Sequence, residues 1–448
     1  MIKRFIVNIF SAPRINISLA LALLMVLGGG VNALASDLDF SAAYAARFSD
    51  NIVLVPTNEQ DEFINSLSLG LGYNKESNDG GIHLTAKADR VDYLNNIFDD
   101  ENLFSLSSKG YLRVRSNFLV LRGAGFFFQG IIDPFSPQTP ENRQDIGVLW
   151  AGPDLNFHLG PSDTLGIEAR LGAFLFENSP IDNTREHIAA RLLHDYALRT
   201  KGSLNVEFEE VHYSDGGLNL NFNRGDVFVR LDRTSTPLWR NTLDLGVTRI
   251  KQESFKSSTK PLARLSSTLR ASRGQNITLL ASVEFTDSGR ELRNTASIKT
   301  GLNLTEESTS SDVFYTKTAG LLYNFKSTLL NGTVRMRLVN QDFQRVQLKN
   351  KRAMEEDIAL SHDLFPTTRL AVFASFNKTN WGGVNRIDRE RTVGTRLIYL
   401  IRKNFWVNAE LKQMNRNSTD SINNYTANIV SIGLSYSRKA FVDNSLYF

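Results

Sequence analysis

The chain has 448 residues, 51 lysines and arginines against 47 acidic residues, 42% hydrophobic residues and no cysteine. The lack of cysteine excludes disulfide frameworks and thiolate metal sites. After residue 35 no apolar run approaches the roughly 18 residues of a helical membrane span, so that class is excluded as well.

The first segment reads as a targeting signal. Lys3, Arg4 and Arg14 lead, "ISLALALLMVL" supplies an apolar core, and Ala33-Leu34-Ala35 forms an A-x-A cleavage site before Ser36. A secreted chain beginning at Ser36 is expected. Removing residues 1–35 takes away three basic and no acidic residues, leaving 48 against 47, or +1. That balance argues against nucleic acid as a partner, because such binders concentrate positive charge.

Period-two alternation then recurs along almost the whole chain. In "TLGIEARLGAFLF" (164–176), Leu165, Ile167, Ala169, Leu171, Ala173 and Leu175 oppose Gly166, Glu168, Arg170 and Gly172. "SLNVEFEEV" sets Leu204, Val206 and Phe208 against Asn205, Glu207 and Glu209. "NITLLASVEFT" sets Ile277, Leu279, Ala281, Val283 and Phe285 against Thr278, Ser282, Glu284 and Thr286. "GTVRMRLVN" sets Val334, Met336 and Leu338 against Thr333, Arg335 and Arg337. Alternation is the strand signature. Runs this long exceed the usual globular strand of about five or six residues. They suit the roughly 9 to 11 residues with which a tilted strand crosses a bilayer.

Short polar turns are expected at 74–81, 115–117, 160–163, 199–203, 233–237, 272–275, 325–328, 365–368 and 402–404. Longer polar connections are expected at 129–145, 177–186, 252–260, 288–311, 341–351, 379–390 and 417–423. The interval between the turns at 275 and 325 holds an additional strand-like run, "TASIKTGLNLT". Short turns at one end and long loops at the other are the asymmetry of outer-membrane barrels. Nine short turns give ten hairpins and twenty strands, with both termini on the periplasmic side. The expected fold is all-β: a transmembrane antiparallel up-and-down barrel of about twenty strands, sixteen to twenty being compatible with the pattern. The expected organisation is a signal over 1–35, one barrel domain over 36–438 and a periplasmic tail over 439–448.

Aromatic residues at 126–128 and at Phe157, Phe174, Phe176, Trp239, Tyr323, Phe325, Phe376, Tyr399, Trp406 and Tyr436 lie close to expected strand ends. Such placement suits the aromatic girdles of membrane barrels. The polar faces carry charges of both signs: Arg113, Arg115, Glu168, Arg170, Glu207, Glu209, Asp244, Arg264, Arg270, Glu284, Arg335, Arg337, Arg396, Glu410 and Lys412. These are the candidate pore-lining residues. An arginine excess suits acidic or polyhydroxylated solutes, since guanidinium groups bind carboxylates in bidentate fashion. A wet lumen accepts any polar residue, so the wall alone leaves the solute open.

No catalytic set stands out. The six histidines, 83, 158, 187, 194, 212 and 362, are scattered without metal-ligand spacing, and no G-x-S-x-G elbow occurs. No cofactor or metal is expected. The acidic stretch "FDDEN" (98–102) reads as a solvated outer loop, with calcium binding the alternative.

The segment "AYAARFSDNIVLVPTNEQDEFINSLSLGLGY" (43–73) resembles the opening of the outer-membrane β-barrel porins associated with exopolysaccharide and PEP-CTERM (exosortase) systems. Those begin with an aromatic strand, an S/T-D-N turn, a D-x-[FI] step and an L-x-L-G-L-x-Y strand. The matching residues are Tyr44, Ser49, Asp50, Asn51, Asp61, Phe63, Leu67, Leu69, Gly70 and Tyr73, and "DYLNN" (92–96) resembles the exit of the third strand. The resemblance implies a large barrel in the Gram-negative outer membrane and a conduit for a secreted polysaccharide. It also implies lipid, the barrel assembly machinery and periplasmic export or biosynthesis proteins as partners, with polysaccharide as the substrate, and no catalytic residues. The class rivals are a general solute porin and a lipase-type hydrolase set in the wall. "NIVSIGLSYS" (428–437) reads as the closing strand, with Val430, Ile432, Leu434 and Tyr436 towards lipid and Ser431, Gly433 and Ser435 inward. The tail beyond it, ending at Phe448, departs from the family's usual ending on the strand itself.

Overall fold

The structure is a computed structural model that describes residues 38–115, 118–214, 221–253, 256–291 and 312–437. The leader at 1–35, the tail at 439–448 and the run at 295–305 lie outside the described residues. The first ten strands are β1 (Leu38–Ser49), β2 (Glu62–Glu76), β3 (Gly80–Tyr93), β4 (Glu101–Arg115), β5 (Leu119–Ile131), β6 (Arg143–His158), β7 (Asp163–Phe176), β8 (Asn183–Ala197), β9 (Thr200–Tyr213) and β10 (Phe222–Thr236). The second ten are β11 (Trp239–Gln252), β12 (Ser258–Ser272), β13 (Gln275–Asp287), β14 (Val313–Lys326), β15 (Leu330–Phe343), β16 (Lys351–Phe365), β17 (Thr368–Trp381), β18 (Arg386–Arg402), β19 (Phe405–Ser418) and β20 (Tyr425–Ser437).

Each strand pairs antiparallel with its neighbours in sequence, and β20 pairs with β1 from Ser437↔Ser41 to Ile429↔Ser49. The result is a closed twenty-stranded meander in which every strand has a neighbour on both sides. All nine expected short turns join β2–β3, β4–β5 and so on to β18–β19. The described long connections gather at the other end, where 50–61 and 94–100 join those expected.

Turn chemistry explains the tight end. Asn404, between β18 and β19, takes φ 73°, a left-handed conformation that asparagine tolerates. At the β12–β13 turn a Cβ on Gly274 would stand 2.0 Å from the Lys326 carbonyl oxygen, so only glycine lets the β14 backbone approach. The outer face is apolar and solvent-accessible at alternate positions, as with Leu204, Val206 and Phe208 on β9 and Val430, Ile432 and Leu434 on β20. This is the belt that lipid covers. Near the short-turn end it carries Trp239, Tyr399 and Tyr436, the last packed 4.9 Å from the Phe405 ring.

Four of the aromatics expected in a girdle are elsewhere. Phe126, Phe128, Phe174 and Phe176 are buried on the inner face, in a cluster with Ile146 and Val148. Phe126 shares parity with Arg122, whose guanidinium bonds Asp154 on β6, while Phe127 turns outward to Phe104. Three consecutive phenylalanines conceal which parity faces in.

One part of the wall leaves the cylinder. β12 and β13 stop pairing at Ala263↔Val283, yet β13 continues against β14 to Asp287↔Val313. Phe285, which alternates with the outer-face set, is fully buried and packs with Val211, Tyr213, Phe222 and Ile250 of β9–β11. The end of the β13–β14 hairpin therefore leans into the lumen.

The β1–β20 seam is locked by the Ser-Asp-Asn turn. Asp50 accepts hydrogen bonds from the Asn428 backbone N–H and side-chain amide, both at 2.7 Å. Asn51, fully buried, donates to the carbonyls of Val55 (2.8 Å) and Thr426 (3.0 Å) and accepts from the Val55 N–H at 3.2 Å. Removing three buried bonds and orphaning their backbone partners costs about 2–4 kcal/mol. Asn51→Ala is thus expected to lower the temperature at which the folded band converts to the unfolded band in SDS electrophoresis. An unchanged transition would mean that strand pairing alone holds the seam.

Candidate functional site in the barrel lumen

On a strand, residues i and i+2 share a face, and directly opposed residues on neighbouring strands bring their side chains within reach. The expected polar face is the inner face, and most of its charges are paired across strands. Arg170 bonds Asp154, which also accepts from Arg122 at 2.5 Å, and Glu168 lies 3.6 Å from Arg170. Arg170 also donates to the carbonyls of Pro153 (2.9 Å) and Ala169 (2.8 Å). The local cause is Pro153, where the β6–β7 register is interrupted and these carbonyls are left for a side-chain donor.

Further round, Arg264 bridges Glu284 (2.7 Å) and Asp244 (3.5 Å), and Asp244 accepts from Arg230 at 2.7 Å. Arg335 pairs with Asp357, Arg337 with Glu355 at 3.6 Å, and Arg396 with Glu410 at 2.7 Å. Lys412 shares the Glu410 face of β19. Arg113 instead donates to the Ser77 and Asn78 carbonyls of the β2–β3 turn, and Arg115 lies over Phe118. Arg270 is exposed and has no ion-pair partner among the described residues.

Two crossings of the lumen join residues far apart in sequence. The first is made by the inward-leaning end of β13. Asp287 accepts a bidentate pair of bonds from Arg185 on β8, the Nη1 bond being 3.1 Å. Arg185 lies 3.6 Å from Glu209 and over the Phe174 ring. Residues 288–291 form a helical turn, from which Arg290 reaches Asp226 (3.5 Å), Glu207 (3.9 Å) and Glu284 (4.0 Å). Burial alone would lower the Arg290 pKa, but Glu284 and Asp226 outweigh it and hold the guanidinium above its ordinary range. Arg224 completes the group by bonding Asp226 at 2.8 Å.

The second crossing is the β5–β6 connection. Asn142 fastens it, donating to the carbonyls of Asp133 (2.8 Å) and Pro137 (2.9 Å) and accepting from the Asp133 N–H at 2.8 Å. The Phe135 ring packs 4.8 Å from Trp381 on β17, and Arg386 of β18 donates to the Phe135 carbonyl at 2.9 Å. β6 and β17 are eleven strands apart one way round the wall and nine the other, so this segment spans the lumen. Asp388 organises the far side, accepting from Arg386 (2.8 Å), Arg416 (2.9 Å) and the Trp381 indole N–H (3.0 Å). Lys349, in the neighbouring β15–β16 connection, is held below the usual lysine range by burial, against the pull of Asp133 and Asp312.

Among the described residues no cluster of three or more metal-ligating side chains occurs. In the "FDDEN" stretch, Asp100 is engaged by Arg90 at 2.6 Å and by the Tyr93 N–H at 3.0 Å. His194 meets Asp163 at 2.8 Å on the outer face, and no serine is hydrogen-bonded to it among the described residues.

A closed antiparallel meander with an apolar outer belt and paired charges within defines a transmembrane barrel of the outer-membrane porin type. Residues 352–438, from β16 to just past β20, match the model of the family described as "Putative beta-barrel porin 2", and the barrel fits that description. Among solved structures, Pseudomonas aeruginosa OccK2 (OpdF) is similar at 9% identity and TM-score 0.38, covering 90% of this chain and 97% of that one. The FrpB iron transporter from Neisseria meningitidis is similar at 9% identity and TM-score 0.46, over 91% of this chain and 83% of that one. The siderophore receptor PiuA from Acinetobacter baumannii is similar at 9% identity and TM-score 0.44, over 89% and 81%. These likenesses concern the fold alone. No curated protein matches the sequence.

Proposed function

We propose that this barrel is a channel for export of an extracellular polysaccharide, with the inner-wall residues Arg264, Glu284, Arg335, Arg337, Arg396 and Glu410 lining its path. The observation that carries the reading is the pairing of inner-wall charges, as in Arg396 with Glu410 and Arg335 with Asp357. Paired guanidinium and carboxylate groups leave little net field along the wall but many donors and acceptors, a surface suited to polyhydroxylated chains rather than to ions of one sign. The resemblance of residues 43–73 to exopolysaccharide-associated porins supports the same assignment. In this reading the long connections face the cell exterior and both termini face the periplasm. The barrel assembly machinery reads β20 through Gly433 and Tyr436, and periplasmic export proteins deliver the polymer.

A strain lacking the protein is expected to lose polysaccharide from its surface while retaining it in the periplasm. Unchanged surface polysaccharide with reduced uptake of small solutes would overturn the proposal in favour of a general solute porin. The crossing made by residues 132–142 favours that second reading, since a narrowed lumen suits small solutes. A wall-embedded hydrolase has histidine–carboxylate pairs such as His194–Asp163 in its favour.

A further inference from the structure

The inward lean of β13–β14 has a counterpart on the outer wall. A hollow of about 620 Å³ indents the lipid-facing surface between β11 and β17. Its floor is made of the small side chains Ala263, Ala281 and Ala319, and Leu265, Leu338 and Met354 rise around it. The hollow lies where β13 parts from β12 at Val283, so the outer surface sinks as the hairpin leans inward.

The polar lining on this outer face is confined to the side nearer the long loops. Lys317, Asn340, Arg352 and Asn380 are successive register partners on β14, β15, β16 and β17, and Lys378 stands beside Arg352. All three cations are exposed. None has a carboxylate partner among the described residues; the Lys317 ammonium contacts only the Tyr315 ring, at 5.7 Å. Elsewhere on the outer face Arg90 is neutralised by Asp92 and Asp100, each at 2.6 Å. Unpaired cations above an apolar hollow match a ligand that has anionic groups above and hydrocarbon below. Lysine and arginine stems lie along apolar surface while their heads reach the interface, and both bind phosphate.

We infer that this hollow seats acyl chains of a phosphorylated glycolipid of the outer leaflet, with its phosphate groups held by Lys317, Arg352 and Lys378. The cations lie on strands spaced about 4.8 Å apart, too widely for one phosphate to engage all three. The amides of Asn340 and Asn380 alternate with them and offer hydrogen bonds to sugar hydroxyls. The inference rests on the reading that the long-loop end faces the exterior.

The test uses the full-length protein extracted from outer membranes in mild detergent and examined by native mass spectrometry. Wild type is expected to retain a phosphorylated glycolipid. The combined Lys317→Ala, Arg352→Ala and Lys378→Ala variant is expected to lose at least about tenfold of the bound fraction, having lost three charge-assisted contacts. Ala281→Trp, which fills the hollow but keeps the cations, is expected to lose it too. Equal retention by wild type and both variants, or retention of an acidic phospholipid instead of glycolipid, overturns the proposal. Orientation is checked separately with Val384→Cys, in the β17–β18 connection of a chain without cysteine. Labelling by an impermeant maleimide on intact cells supports the exterior placement, so loss of the lipid result alone would then count against the hollow. Absence of labelling in a folded barrel would overturn both the orientation and the glycolipid assignment.

Discussion

Asp287→Ala is expected to be among the most damaging single substitutions in the wall, destabilising the barrel by about 3–5 kcal/mol because a buried guanidinium loses its bidentate carboxylate partner. Arg185 is 3% exposed at its side chain and Asp287 2%, so neither can exchange its partner for bulk water. With the carboxylate gone, Arg185 keeps the Asn183 amide oxygen at 2.9 Å, the more distant Glu209 carboxylate at 3.6 Å and its contact with the Phe174 ring. The Gly289 N–H, which donates to Asp287 at 3.0 Å, is orphaned at the same time. The effect is structural as well as energetic. Arg185–Asp287 ties residues 102 apart in sequence and holds the end of β13 inside the lumen. The measurement is denaturant-induced unfolding in lipid vesicles.

The loss belongs to the broken pair and not to the single residue. Replacing a buried ion pair by apolar groups is often neutral, whereas removing one partner is not. Combining Arg185→Met, Glu209→Gln and Asp287→Ala is therefore expected to recover most of the loss, because a methionine can stack on Phe174 in place of the guanidinium. If Asp287→Ala unfolds at the wild-type denaturant concentration, the first crossing does not hold the hairpin end, and the buried contact between Phe285 and Ile250 must do so.

What could be read from the sequence follows the range over which each cause acts. Alternation and turn chemistry are local, so the run 164–176 and the turns at 402–404 and 365–368 reveal a strand count and an asymmetric barrel. The polar parity of Arg264, Glu284, Arg335 and Arg396 is likewise local, and those residues do share the inner face. Pairing across 102 residues is not local, and nothing in "REHIAA" announces a partner for Arg185 in "FTDSG". The lean of β13 is hidden for another reason. Phe285 continues the outward apolar alternation of Ile277 to Val283, and only the loss of pairing with β12 places it against an inner face. Part of the missed chemistry had a usable signal. Arg224 with Asp226, and Arg386 with Asp388, are opposite charges two residues apart on one strand face.

Freeing the second crossing is expected to change transport more than stability. The 132–142 segment is held across the lumen by the bond from Arg386 to the Phe135 carbonyl and by the Phe135–Trp381 ring contact. A charge-assisted bond contributes about 1.5–3 kcal/mol, and an aromatic pair adds about 0.5–1.5 kcal/mol beyond its buried area. Replacing residues 134–141 by a short glycine–serine linker removes both while leaving every strand and its ladder in place. Single-channel conductance in planar bilayers is expected to rise, and the permeation rate of neutral oligosaccharides in vesicles to rise with it, steepening for longer chains. Phe135→Ala alone should show the same direction with a smaller change, since the Arg386 bond is to backbone. Asp388 remains paired with Arg416 in both variants, so the wall beneath the segment keeps its shape. Conductance unchanged by the linker would mean that the narrowest point lies instead at the Arg185–Asp287 crossing. The Arg185→Met, Glu209→Gln and Asp287→Ala combination would then be the variant that opens the channel.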